Sequence, residues 1–241
     1  MATIWWIRRD LRLEDNKTLL QALKDPPILP VFILDSRLLS SVPDRRQNFL
    51  YQNLRKLQAD LRSRGSDLII RQGKPVEVLQ DLLAESGADQ IIAEEDFTPY
   101  ARLRSVLVGG CLPLKLVQGQ LGLHPLAALK ANGKPYQVYT PFKKNWMALR
   151  KEIPIHPAPT DIPTIPGIFS QDLPRGTEDP VFPSGEAAAR KRLGLFLAEE
   201  VRQYHLNRDR MDLEGTSKLS PYFHFGVLGL RTGLHFTLQA I

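Results

Sequence analysis

Short apolar runs alternate with helical patterns through the first half of the chain. The runs Thr3 to Ile7, Ile28 to Leu34, Leu68 to Arg71, Gln90 to Ala93 and Leu114 to Gln118 are apolar on successive positions, which predicts buried strands. Between them, four segments carry helical spacing. Asn16 to Lys24 follows an Asp-rich turn, and Gln47 to Arg64 places Phe49, Leu50, Leu54, Leu57 and Leu61 on one face. Pro75 to Ser86 begins with a helix-starting proline, and Thr98 to Val108 has a Thr-Pro start. Strand, helix and strand in repetition predict an α/β domain over residues 1–130, a five-stranded parallel, doubly wound, Rossmann-like sheet with helices on both faces.

The texture changes after residue 130. Ten of the nineteen prolines fall between 131 and 183, which reads as an extended connector. Ile153, Ile155, Ile162, Ile165, Ile168 and Phe169 are scattered through it and favour wrapping over hanging free. From residue 184 the pattern is helical again, with Leu193, Leu197, Val201 and Tyr204 in one stripe. Residues 184–241 are therefore expected to open a helical domain that is cut short after two or three helices.

Composition narrows the function classes. The chain has 241 residues, 43% hydrophobic and 24% charged, in the ordinary globular range. Its net charge of +6 permits a nucleic-acid partner, but no segment is a basic tail, so a binding surface would come from folded geometry. A lone Cys111, in what reads as a loop, excludes an internal disulfide and a cysteine metal cluster. His124, His156, His205, His224 and His235 show no metal-ligand spacing, and no catalytic triad is visible. No apolar run is long enough for a membrane span and no signal peptide is seen, so a soluble, cytoplasmic protein is expected. No strand is followed by a Gly-x-Gly-x-x-Gly or Walker-type loop.

The candidate chemistry lies near the end of the chain. Thr216, Ser217, Lys218, Leu219 and Ser220 offer hydroxyls on both sides of a lysine, and Ser220-Pro221 reads as an N-cap followed by proline at the first helical position. Such a helix start presents unpaired N–H groups to an anion, although a well-capped helix with no ligand fits equally. Read alone, Tyr204 is a core residue with its hydroxyl at the surface, and Arg208 a solvated helix end. The cluster Arg8, Arg9, Asp10, Arg12, Asp15 and Asn16 is expected to be structural, the arginines tying domains together through carboxylates. Trp5 and Trp6 are adjacent in a strand and must point to opposite faces. Glu94, Glu95 and Asp96 end a strand where an open sheet binds ligands, though carboxylates repel an anionic one.

Several long words, in order, resemble the photolyase and cryptochrome family. They are Trp5 to Asn16, Tyr139 to Trp146, Gly185 to Leu193, Tyr204 to Asp209, and Gly215 to Leu228. The resemblance implies light-driven, FAD-dependent splitting of cyclobutane pyrimidine dimers in DNA, on bases turned out of the helix. It implies that Tyr204 contacts the flavin and that Thr216, Ser217, Lys218, Leu219 and Ser220 hold its diphosphate. Arg208 would lie beside the DNA surface. No residue is implied to act as a general acid or nucleophile. An antenna chromophore, methenyltetrahydrofolate or a deazaflavin, would sit in the first domain. The family's later helices, which enclose the flavin and bind the dimer, have no counterpart in the 241 residues, so the chain is expected to be inactive alone unless a C-terminal continuation or second chain supplies them. A cryptochrome-type photoreceptor without repair activity and a stand-alone chromophore or interaction module remain as alternatives.

Overall fold

The computed structural model describes residues 2–39, 43–119, 124–149 and 155–240. Ile153 and Pro154 of the connector lie outside the described residues. β1 (Thr3–Ile7) is followed by α1 (Lys17–Ala22), β2 (Ile28–Leu34), α2 (Ser36–Leu39), α3 (Asp44–Arg62), β3 (Ile69–Gln72), α4 (Pro75–Ser86), β4 (Gln90–Glu94), α5 (Pro99–Cys111) and β5 (Leu114–Val117). The strands form one parallel sheet in the order β3-β2-β1-β4-β5. β1 and β2 are buried along their whole length, which is why they read as unbroken apolar runs. Trp5 and Trp6 enter separate apolar clusters on opposite faces of the sheet, as their adjacency requires.

Helix ends differ from expectation by a few residues. α5 runs through Gly109 and Gly110 to Cys111, so the cysteine closes a helix instead of lying in a loop. It is exposed. α1 is capped by Asn16, whose Oδ1 accepts from Leu19 N at 3.0 Å.

The connector wraps. Ile165 N donates to Ile28 O and Gln171 N to Ile70 O, while Ser170 Oγ accepts from Ile70 N at 3.0 Å. The first of these extends the sheet at the start of β2, and the other two cover the outer edge of β3. Ile162 is fully buried, whereas Phe169 stays out under the Arg71 guanidinium. Farther along, the connector follows α3, where Asn48 Nδ2 donates to Thr177 O at 2.6 Å and Asn53 Oδ1 accepts from Gly185 N at 2.8 Å.

α6 (Tyr139–Ala148) lies inside the connector, whose first part is therefore helical and not extended, and α7 (Glu186–Glu199), α8 (Tyr204–Asn207), α9 (Ser220–Phe225) and α10 (Leu230–Ala240) follow it. Ala189 and Leu193 of α7, Tyr222 of α9, and Val227 and Leu228 join the same apolar cluster as Trp5 and Leu54. The helical segment thus shares a core with the sheet.

Candidate functional site

The strand order reverses between β1 and β4, and the loops leaving their carboxyl ends separate there. A cavity of about 300 Å³ occupies that crevice. Trp6, Phe32 and Tyr100 line it, and Phe225 reaches it from α9. Arg8, Arg9, Arg46 and Arg104 also face it, against Asp96. Of Glu94, Glu95 and Asp96, the three carboxylates at this strand end, only Asp96 lines the cavity. Glu94 turns into the protein beside Arg12, at 3.8 Å, and Glu95 turns toward His124.

The arginines are held by the fold. Arg8 Nη1 donates to Ser105 Oγ at 2.9 Å and Nη2 to the Glu94 carbonyl. Burial, then repulsion from Arg104, lowers Arg8 to about 10. Arg104 is lowered by burial as well. Arg8 Nε and Arg104 Nε are buried without a hydrogen-bond partner among the described residues. Burial works upward on Asp96, but the Thr98 N–H and Arg9 hold it below its ordinary value. Glu94 is pushed up to about 8, by burial first and by Asp10 second. Two orphaned guanidinium nitrogens between aromatic walls suit a planar ligand that carries hydrogen-bond acceptors.

A second cleft, of about 350 Å³, opens between α3, the connector and α9. It shares Arg46, His224 and Phe225 with the first. Arg45 is neutralised there by Asp179 at 2.7 Å. His224 is lowered by burial and then by Arg9 and Arg46, and Arg9 fixes its backbone by donating to the His224 carbonyl at 2.9 Å.

The hydroxyl-rich turn forms between α8 and α9. Lys218 adopts a left-handed backbone, φ 50, and Leu219 follows in a right-handed one, φ −86. Successive residues of opposite hand aim neighbouring N–H groups into one concavity. Leu219 is buried and anchors the turn. Its carbonyl accepts the first helical bond, from Phe223 N, so Leu219 holds the cap position and Ser220 is the first helical residue. The cap expected at Ser220 is therefore displaced by one residue, because the apolar anchor fixes where the helix begins. Ser217 Oγ accepts from Leu219 N at 3.4 Å, Thr216 is exposed, and Lys218 pairs with Glu214. Gly215 packs against Asn207, which brings the turn beside the end of α8.

Tyr204 is not a core residue. α7 stops at Glu199, a 3₁₀ turn over Val201–Gln203 redirects the chain, and the Tyr204 ring stands 42% exposed, edge-on to Phe196. Arg208 is exposed beside Asp209.

The Arg8 to Asn16 loop makes the contacts expected of a tie. Arg12 Nη1 donates to Gly226 O, Arg231 meets Asp15 at 3.4 Å, and the Glu186 carboxylate accepts from Leu13 N and Glu14 N. Sequence reasoning missed Arg104 and Tyr100 as cavity residues. The available signal was an arginine inside the Ala101, Arg104, Val108 face of α5, where an apolar residue belongs.

Comparison with known proteins agrees with this architecture. The DNA photolyase family description matches residues 3–164. A deoxyribodipyrimidine photo-lyase of Thermus thermophilus is 38% identical over 94% of this chain and 52% of its own length. A 31.6 kDa protein of Synechococcus sp. PCC 6716, described as uncharacterized, is 36% identical over 95% of this chain and 86% of its own length. The crystal structure of a class III photolyase from Agrobacterium tumefaciens superimposes with a TM-score of 0.85 at 27% identity, over 98% of this chain and 52% of that one. The chain spans about half the length of the curated photo-lyases it matches. With its sheet order, its switch-point cavity and its turn between α8 and α9, the chain belongs to the DNA photolyase family.

Proposed function

We propose that the chain supplies the pigment-binding sheet domain and the opening of the flavin site of a light-driven DNA-repair lyase acting on pyrimidine dimers in the cytoplasm. The observation that carries the reading is the arginine- and aromatic-lined cavity at the switch point, where Arg8 Nε and Arg104 Nε are buried with no hydrogen-bond partner among the described residues. An antenna chromophore with a planar ring fits there. The partly buried Tyr100 and Phe225 would hold the ring by dispersion, and Arg8 and Arg104 would donate to its acceptors.

The residues of the turn fit the diphosphate of FAD. The N–H groups of Lys218 and Leu219 would hold the phosphates, Thr216, Ser217 and Ser220 would add hydroxyls, and Tyr204 would contact the flavin. When bound, FAD in its reduced form supplies the excited electron that splits the dimer. Arg208 stands at the surface where the DNA backbone would pass. The exposure of Tyr204, Leu206 and Leu213 supports a site completed by further polypeptide, a continuation or a second chain. We expect the 241-residue chain alone to leave dimers intact under blue light. Dimer-free DNA recovered from that incubation overturns the expectation.

The test of the pigment reading is an absorption spectrum of the purified chain and of the supernatant after heat release, followed by titration with FMN, riboflavin and FAD. A flavin-type band or saturable uptake supports it. A colourless protein that takes up none of the three overturns it.

A further inference from the structure

We propose that the outward face of α5 is a homodimer interface, on which a second copy of this chain docks about a two-fold axis running along the helix. α5 is apolar on two opposite sides. Ala101, Arg104 and Val108 are buried toward the sheet. Leu103, Val106 and Leu107 point the other way and are 54%, 71% and 51% exposed. With Gly110 they recur at the three- and four-residue spacing of a single stripe. A surface helix has use for one apolar side, and a second one exposed in a row marks a docking face. At Gly110 a Cβ would meet nothing within 4 Å, so the stripe ends in an open place where another backbone can come close.

Charge on the two flanks of the stripe identifies the occupant. α4 lies beside α5 on the same face of the sheet, and its exposed Glu77, Asp81 and Glu85 form a row at four-residue spacing. Glu85 is drawn to Arg71 at the β3 edge, and Glu77 has only the exposed Lys74 beside it, a contact worth little. The opposite flank is basic. Tyr100 and Arg104 lean toward α4, since Tyr100 bonds Asp35 at the end of β2 and Arg104 lies over Trp6 of β1. Arg102 is two positions from each, about 200° around the helix, so it points away from α4 and is exposed. Across α5 the surface thus runs acidic, apolar, basic. A two-fold axis along the stripe exchanges the flanks, which lays Glu77 and Asp81 of each copy against Arg102 of the other while the apolar stripes meet. A nucleic-acid backbone would be repelled by the same acidic row. Nor do the helices after the connector supply the cover, because α7 and α9 pack in the cluster on the other face of the sheet, with Trp5. One helix face with its flanks is small for a specific complex, so the dimer is expected at a Kd of about 10 μM.

Sedimentation equilibrium of the purified chain, loaded between about 1 and 200 μM, reads the association. The wild type should dimerise, and Leu107→Glu should weaken the dimer at least about a hundredfold, because both copies then bury a carboxylate. Leu206→Glu, on the exposed side of α8, should leave it unchanged. Arg102→Glu should weaken it about fivefold, as should Glu77→Lys together with Asp81→Lys, and all three combined should return to the wild-type value. The charge exchange tests the same face if Leu107→Glu does not fold, which circular dichroism shows. A wild type that stays monomeric throughout overturns the proposal. A dimer or larger aggregate that a folded Leu107→Glu leaves intact overturns it as well, and places the contact elsewhere. A combined variant weaker than either parent overturns the two-fold arrangement along α5.

Discussion

Gly226 shows how one residue can hold a junction. It ends α9 with a left-handed backbone, φ 67, and a Cβ there would overlap the Arg9 carbonyl oxygen. Gly226→Ala should cost about 3 kcal/mol, from backbone strain together with the overlap. Urea unfolding gives the value, and a loss below about 1 kcal/mol would mean that the two segments separate easily. Ser220 teaches the opposite lesson. Because Leu219 holds the cap position and Ser220 is exposed, Ser220→Ala should change stability by no more than about 0.5 kcal/mol. A fall of about 1 kcal/mol in the same unfolding measurement would restore Ser220 as the cap.

At the scale of elements, α3 has two sides of use. Its apolar stripe enters the core, and Asn53 meets the first residue ahead of α7. Removing that acceptor with Asn53→Ala strands a buried N–H of Gly185 and should cost about 2 kcal/mol, read from the shift in the urea midpoint. Most elements were legible because their patterns are local. Parallel strands buried on both faces leave unbroken apolar runs, and β1 and β2 fall on the expected residues. The cavity was not legible, since its walls come from β1, β2, α2, α3, α5 and α9, and no spacing along the chain links Trp6 with Arg104 or His224. Tyr204 was misplaced for a related reason. The 3.6-residue stripe from Leu193 onward assumes one continuous helix, and the turn after Glu199 breaks it. The loop from Arg8 to Asn16 was read correctly as a tie, because alternating charges around Asp and Asn residues find their partners within the fold.

For the whole molecule, buried acids set the response to pH. Glu94 and Glu186 are raised by burial from 4.5 to about 8 and about 7, so the folded chain keeps protons that the unfolded chain has released. Stability from these groups is therefore fully present below pH 4.5 and declines as pH rises toward 8. His224, lowered below 6.5, acts in the other direction only under that value. The urea midpoint should fall between pH 6.5 and 8.5, and Glu94→Gln should flatten the fall, whereas a flat wild-type profile would contradict the assignment. The connector adds a constraint in time. Ser170 and Gln171 cover the β3 edge, yet they are made about a hundred residues after β3 itself. A ribosome synthesising this chain therefore releases a sheet whose outer strand stays open while the intervening length is translated. For this protein, the speed of elongation across that stretch, and any chaperone waiting there, decides how much of the nascent chain escapes aggregation.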